Sequence, residues 1–255
     1  MPGAARAGRS AARARVIATA AAVVYVALAL ANGGDRIAAN KVAKALRFPR
    51  AVAVESLGVA GERAVADARY DDALAIAQSA VARAPIEPSS TALLGAAWLG
   101  KGDEDRARAG FTVAGKLGWR VPLTQAYWMR EALDANDTRI AALRLDALLR
   151  QQPALLGEDR LLAPLEASAQ GRAALAARLA TRPPWLADYV NDHGEASREG
   201  MLRRASVLLT LAATDQRLGC EIIRPAAVRL VVLNEPAVAQ QVWRAHCGTT
   251  PMPQS

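Results

Sequence analysis

Two cysteines and two histidines are the side chains of this 255-residue chain best suited to nucleophilic, redox or metal chemistry. His246 and Cys247 are adjacent, and Cys220 stands alone upstream. Neighbours on a helix point about 100° apart, so these three supply at most three ligands, without C-x-x-C or H-x-x-x-H spacing. A second group sits in the segment NDHGEASREG: Asp192, His193, Glu195 and Ser197. Its acid, base and hydroxyl types could make an acid–base or nucleophile site. Adjacency in sequence is not triad geometry, however, and the same residue types fill polar loops and cap helices. The chain has no phosphate-binding glycine loop, no G-x-S-x-G and no zinc-enzyme helix. The expectation is a non-enzymatic protein with no catalytic residue, no metal and no cofactor.

The cysteines have a second chemistry. Residues 222 to 233 and 236 to 246 read as two helices around Leu233-Asn234-Glu235-Pro236, with Asn234 as N-cap and Pro236 in the first turn. Cys220 precedes the first helix and Cys247 ends the second. In an antiparallel hairpin the start of one helix lies beside the end of the other, so a Cys220–Cys247 disulfide is geometrically natural. Two separate buried thiols are the alternative.

The elements that position these residues are helices. Ala, Leu and Arg abound while aromatics make up only 4% of the chain, which disfavours a sheet. Alanine alone accounts for 60 of the 255 residues. With 52% hydrophobic and 22% charged residues, bulk disorder is excluded as well. The net charge of +8 is concentrated at the start, where Arg6, Arg9, Arg13 and Arg15 stand without an acid. The remainder lacks the basic face and interleaved aromatics of a nucleic-acid binder, so no nucleic-acid partner is expected.

Val16 to Ala31 reads VIATAAAVVYVALALA and carries no charge. Extended by one turn, such a helix spans about 25–30 Å, enough for a bilayer. Residues 1–15 would then be a basic cytoplasmic tail and residues 16–32 a transmembrane anchor, with the bulk exported. Small residues at Ala29 and Ala31 also fit a cleavable signal peptide. Arg36, Lys41, Lys44, Arg47 and Arg50 follow, spaced as one solvated or headgroup-facing side of a helix.

A 34-residue period organises the middle of the chain. Ala73, Ala107 and Ala141 are spaced by it, as are Ala80, Ala114 and Leu148, and the breakers Pro85, Trp119 and Pro153. Gly61 and Gly95 share a register that Met129 continues. The best unit has Leu94-Gly95, Trp98, Gly102-Asp103, Ala107, Phe111 and Ala114. This pattern resembles the tetratricopeptide repeat (TPR) over residues 54–155, as three units of two helices each. The resemblance implies an all-α superhelix of stacked hairpins. Physically, alanine at the helix contact lets two axes approach, and a Gly-Asp turn supplies a left-handed position and a cap.

The flanks read as worn copies. Residues 36–53 form a half-repeat, with Ala39, Ala43 and Leu46 in the second-helix register. Residues 156–190 form a degenerate repeat ending at Pro183-Pro184, and 191–247 a C-terminal helical region with a helix over Met201 to Leu218. Residues 248–255 carry no core signal and are expected to be disordered.

Stacked hairpins curve and present a concave face. The resemblance places on that face Glu55, Gly58, Glu62, Val65 and Ala66, then Ser89, Ala92, Ala96, Leu99 and Gly100, then Leu123, Ala126, Arg130, Leu133 and Asp134. The expected protein-binding groove is Leu99, Leu123, Ala126, Arg130 and Leu133, suited to a helix or extended peptide. The implied function is a scaffold or adaptor of a bacterial cell envelope, in the inner membrane with the bulk periplasmic, in the setting of polysaccharide synthesis or secretion. A soluble periplasmic binding module after signal cleavage is the alternative, and a helical enzyme using the 191–200 loop is a third.

Overall fold

The computed structural model describes residues 4–41, 44, 55–191 and 196–252. Among them are thirteen α helices, one short 3-10 helix and no strand. The helices are α1 (Ala4–Ala39), α2 (Glu55–Ala66), α3 (Tyr70–Arg83), α4 (Pro88–Gly100), α5 (Glu104–Leu117), α6 (Pro122–Asp134) and α7 (Thr138–Leu149). After the 3-10 helix Pro153–Gly157 come α8 (Asp159–Ala167), α9 (Ala169–Leu179), α10 (Leu186–Asn191), α11 (Arg198–Ala212), α12 (Cys220–Val232) and α13 (Pro236–Cys247). The chain forms two compact units, residues 1–118 and 119–255.

In the first unit the apolar segment is part of one unbroken helix. α1 has 36 residues, about 54 Å at 1.5 Å per residue, and Thr19–Ala39 is long and apolar enough to cross a membrane. Val23, Val24, Tyr25, Val26, Leu28 and Leu30 all face outward, so this stretch buries itself against nothing among the described residues. Its far end, by contrast, packs on α2. The half-repeat expected from residue 36 thus begins as the end of α1, and its positions Ala43 and Leu46 lie outside the described residues.

α2 packs on α3, α3 on α4, and α4 on α5. The 34-residue period is visible as geometry. Ala73, Ala107 and Ala141 are fully buried, and Ala80, Ala114 and Leu148 are equally inaccessible. Ala68, Gly102 and Asn136, again 34 apart, all take positive φ, at 57°, 79° and 55°. At each, the following amide bonds back across the helix end: Arg69 N to Ala64 O at 2.8 Å, Asp103 N to Trp98 O at 3.0 Å, Asp137 N to Ala132 O at 2.8 Å. This six-residue closure satisfies a carbonyl that the helix leaves open. Asp103 and Asp137 then cap the next helix, accepting from the Arg106 and Ile140 amides at 3.0 and 2.9 Å.

Glycine sets how closely the helices approach. A methyl group added at Gly110 would lie 2.9 Å from the Gly95 Cα and 3.0 Å from its nitrogen. Backbone meets backbone there, with no room for a side chain. Across the same contact, Phe111 fills the space beside Gly95.

In the second unit, α6 pairs with α7, and α9 packs against α7, α8 and α11. α12 pairs with α13, and α11 contacts both. One continuous core joins these helices, with Trp185, Tyr189, Leu145, Leu165, Leu175 and Met201 at its centre. The helix expected over Met201 to Leu218 is shorter, Arg198–Ala212, and Asp215 beyond it is left-handed at φ 59°. Asn234 is not an N-cap. It takes the left-handed place at φ 63°, Glu235 N bonds to Leu230 O at 2.8 Å, and Glu235 is the cap residue. The C-terminal hairpin therefore repeats the turn of the central ones, although its phase differs. The tail is also held: Trp243 Nε1 donates to Thr250 O at 2.7 Å and Met252 packs on the core. Residues 253–255 lie outside the described residues.

Two substitutions separate turn strain from close packing. Ala68 is the one residue of the three equivalent turns with a Cβ and no side-chain polar group at the left-handed position. Ala68→Gly is expected to raise stability by about 0.5–1 kcal/mol, because relief of the left-handed strain exceeds the added chain entropy. Gly110→Ala is expected to lower it by about 1–3 kcal/mol through overpacking against backbone. Urea titration followed by circular dichroism reads both signs.

Candidate functional site

The groove residues divide between the two units. Leu99 is half-buried on α4 of the first. Leu123, Ala126, Arg130 and Leu133 lie on α6 of the second. Their spacing of three, four and three residues puts these four on one stripe of a helix. Ala126 and Arg130 are exposed, and Leu123 and Leu133 are half-buried. Leu133 also packs on the core, so part of its surface is taken by its own unit. Arg130 is held along the helix by Glu131 at 3.6 Å and Asp134 at 3.8 Å, and its guanidinium lies 5.9 Å from the Tyr127 ring.

The opposite side of α6 explains why the stripe faces out. Gln125 is fully buried; its amide donates to Trp119 O and its carbonyl accepts from Arg144 Nη1 at 3.3 Å. Tyr127 and Met129 are buried as well, with Tyr127 edge-on to Trp128 at 5.1 Å.

Other positions that the resemblance implied are closed. Ala92 and Ala96 are buried on α4, and a Cβ at Gly100 would strike the Tyr70 ring. They serve helix packing rather than a groove wall. Gly58 has open space around it.

The C-terminal hairpin brings its two cysteines together. Cys220 opens α12, Cys247 closes α13, and the thiols lie within hydrogen-bond reach of each other as free thiols. Burial, with the neighbouring Cys220 second, pushes the Cys247 thiol up to about 12. Beside them His246 is buried, with both ring nitrogens engaged. Nδ1 accepts from Leu218 N at 3.3 Å, which leaves Nε2 to donate to Leu208 O at 3.0 Å. This neutral imidazole ties α13 to α11 and to the start of α12. Among the described residues no three His, Cys, Asp or Glu side chains converge as metal ligands.

Asp192, His193 and Glu195 lie outside the described residues. Ser197 is the N-cap of α11, its hydroxyl accepting from Gly200 N at 3.1 Å.

A buried charge cluster escaped sequence reasoning. Glu166, 1% exposed, accepts from the Tyr189 hydroxyl at 2.9 Å. Arg203 Nε lies 3.5 Å from one of its oxygens and Arg204 Nε 3.9 Å from the other. Arg204 also donates to Leu156 O at 2.9 Å and to Tyr189 O at 3.4 Å. Burial raises Glu166, a cost that the tyrosine and the two arginines offset only in part. The cluster fastens the 3-10 helix, α8, α10 and α11 to one another. Its sequence signal was Arg203-Arg204 inside the otherwise apolar run MLRRASVLLTL.

The described residues form an all-helical protein with one apolar N-terminal helix. Comparison with family models, curated proteins and solved structures returns no match.

His246 generates a pH dependence. Burial lowers its folded-state pKa below the ordinary 6.5. The unfolded chain then binds more protons as pH falls, so the stabilisation is present above that value and is lost below it. Stability measured by urea titration is expected to fall between pH 7.5 and 5.5. His246→Gln is expected to reduce that slope; an unchanged slope excludes His246 as its source.

Proposed function

We propose that this chain is a TPR-like scaffold, held by α1 in the inner membrane of a bacterium, with its helical units in the periplasm. It binds a protein segment rather than transforming a substrate. The observation that carries this reading is the recurrence of one turn geometry at Ala68, Gly102 and Asn136, in step with buried alanines at the same period. Such a unit cannot bury its apolar face alone, and repetition of it produces extended binding surfaces. The partner is a helix or extended peptide laid along Leu123, Ala126, Arg130 and Leu133. A polysaccharide-synthesis or secretion assembly is the setting proposed for it, by analogy of architecture and composition alone.

We read α1 as a retained anchor, since Thr19–Ala39 is long and apolar enough to cross a membrane. The outward-facing valines and leucines from Val23 to Leu30 further suit a lipid environment.

Crosslinking in intact membranes followed by affinity purification of the full chain tests the scaffold. One or a few specific protein partners are expected, with yield reduced at least tenfold by Ala126→Arg combined with Arg130→Glu. Partners retained in full by that variant would remove the α6 stripe from the interface. The proposed compartment has its own test. In a periplasm, exchange with a disulfide oxidant would form the Cys220–Cys247 S–S bond and break the oxidant's own, the two electrons and two thiol protons passing to it so that it leaves as a dithiol. Mass spectrometry without reductant is expected to find the peptides of Cys220 and Cys247 linked. Two alkylatable thiols in freshly isolated protein would argue against the exported location.

A further inference from the structure

Asp35 is a carboxylate that is fully buried although it lies on α1 towards the end of the apolar stretch Thr19–Ala39. Its two oxygens accept from the Glu55 and Ser56 amides at 2.8 and 3.0 Å, and the Ser56 hydroxyl donates to its backbone carbonyl at 3.4 Å. Those amides are the first of α2, where unpaired N–H groups and the helix dipole attract an anion. On its own helix Asp35 is misplaced, because an acid near a helix C-terminus opposes the dipole. The contact with α2 repays that cost. It also makes a carboxylate tolerable beside hydrocarbon, where an unpaired one is expensive.

The depth of this contact follows from helix geometry. Counted from Val16, about twenty residues span the hydrocarbon and end at Asp35, at the inner edge of the headgroup layer. The headgroup layer on each side of the hydrocarbon is about 5–8 Å thick. The α2 amides bonded to Asp35 must share its depth. Arg36 is exposed beside it on α1, as is the apolar Ile37, and Lys41 and Lys44 are exposed further along the chain, a mixture suited to an anionic interface.

We propose that Asp35 clamps the start of α2 in the lipid headgroup layer, so that the first helical hairpin rests on an anionic membrane surface at a set height. This rests on the reading of α1 as a retained anchor. The lipid surface is thus a second partner of the chain, and the clamp removes the freedom of a tethered module.

The full chain in vesicles of phosphatidylethanolamine and phosphatidylglycerol tests it. Glu55→Cys, made together with Cys220→Ser and Cys247→Ser, carries an environment-sensitive fluorophore at the start of α2. Lipids bearing a nitroxide on the headgroup are expected to quench it strongly. Adding Asp35→Ala is expected to cut that quenching at least twofold while the protein still resists alkaline extraction. Full quenching in the Asp35→Ala chain overturns the clamp alone, as does absence of quenching in the chain that keeps Asp35, provided the protein remains membrane-bound. Release of the Asp35-containing chain by alkaline extraction overturns the anchor, and the clamp with it.

Discussion

Close approach of helix backbones is the constraint on which the rest of this protein depends. Where α4 and α5 meet, Gly110 faces the backbone of Gly95, and fully buried Ala107 and Ala114 continue the contact along α5. Such contacts gain dispersion along the whole length of a helix but bury little apolar area per residue. A single hairpin built this way is not self-sufficient. Each helix must pack on both sides, as α3 does on α2 and α4, and α4 on α3 and α5. The left-handed turns at Ala68, Gly102 and Asn136 follow from the same requirement, since they return the chain at once and close the open carbonyls.

Charge placement obeys a second rule. Buried ionic groups are costly unless every partner is supplied. Asp35 meets the requirement with α2 amides, while Glu166 meets it only in part, through Tyr189 and two arginines. Both join elements far apart in sequence. His246 does comparable work as a neutral ring, because its two nitrogens are spent on Leu218 and Leu208. His246, which first suggested metal binding, is thus engaged in holding helices together, and Ser197 in capping α11.

The helical class was legible because alanine and leucine dominate and because a 34-residue spacing survives in residue types as small as alanine. Turn chemistry was legible at Gly102-Asp103, where the residues themselves prefer that geometry. It was misread at Asn234, since asparagine suits both an N-cap and a left-handed position and only the neighbouring proline's helix decides between them. Of the expected groove, the α6 stripe kept its outward face. Ala92 and Ala96 did not, because alanine is equally suited to a groove wall and to a tight helix contact.

By itself, then, the sequence determined what is local or periodic: helices, their turns, an apolar segment of bilayer length, and the placement of Cys220 and Cys247 at one end of a hairpin. Tertiary structure alone decided which polar groups are buried and what they touch. Asp35 finding the start of α2, and Glu166 finding Tyr189 and the two arginines, depend on contacts between residues 20 or more positions apart, such as Tyr189 to Glu166 at a separation of 23. The physical reason is that a carboxylate's partner is chosen by the packing of whole helices. No spacing within one helix encodes it.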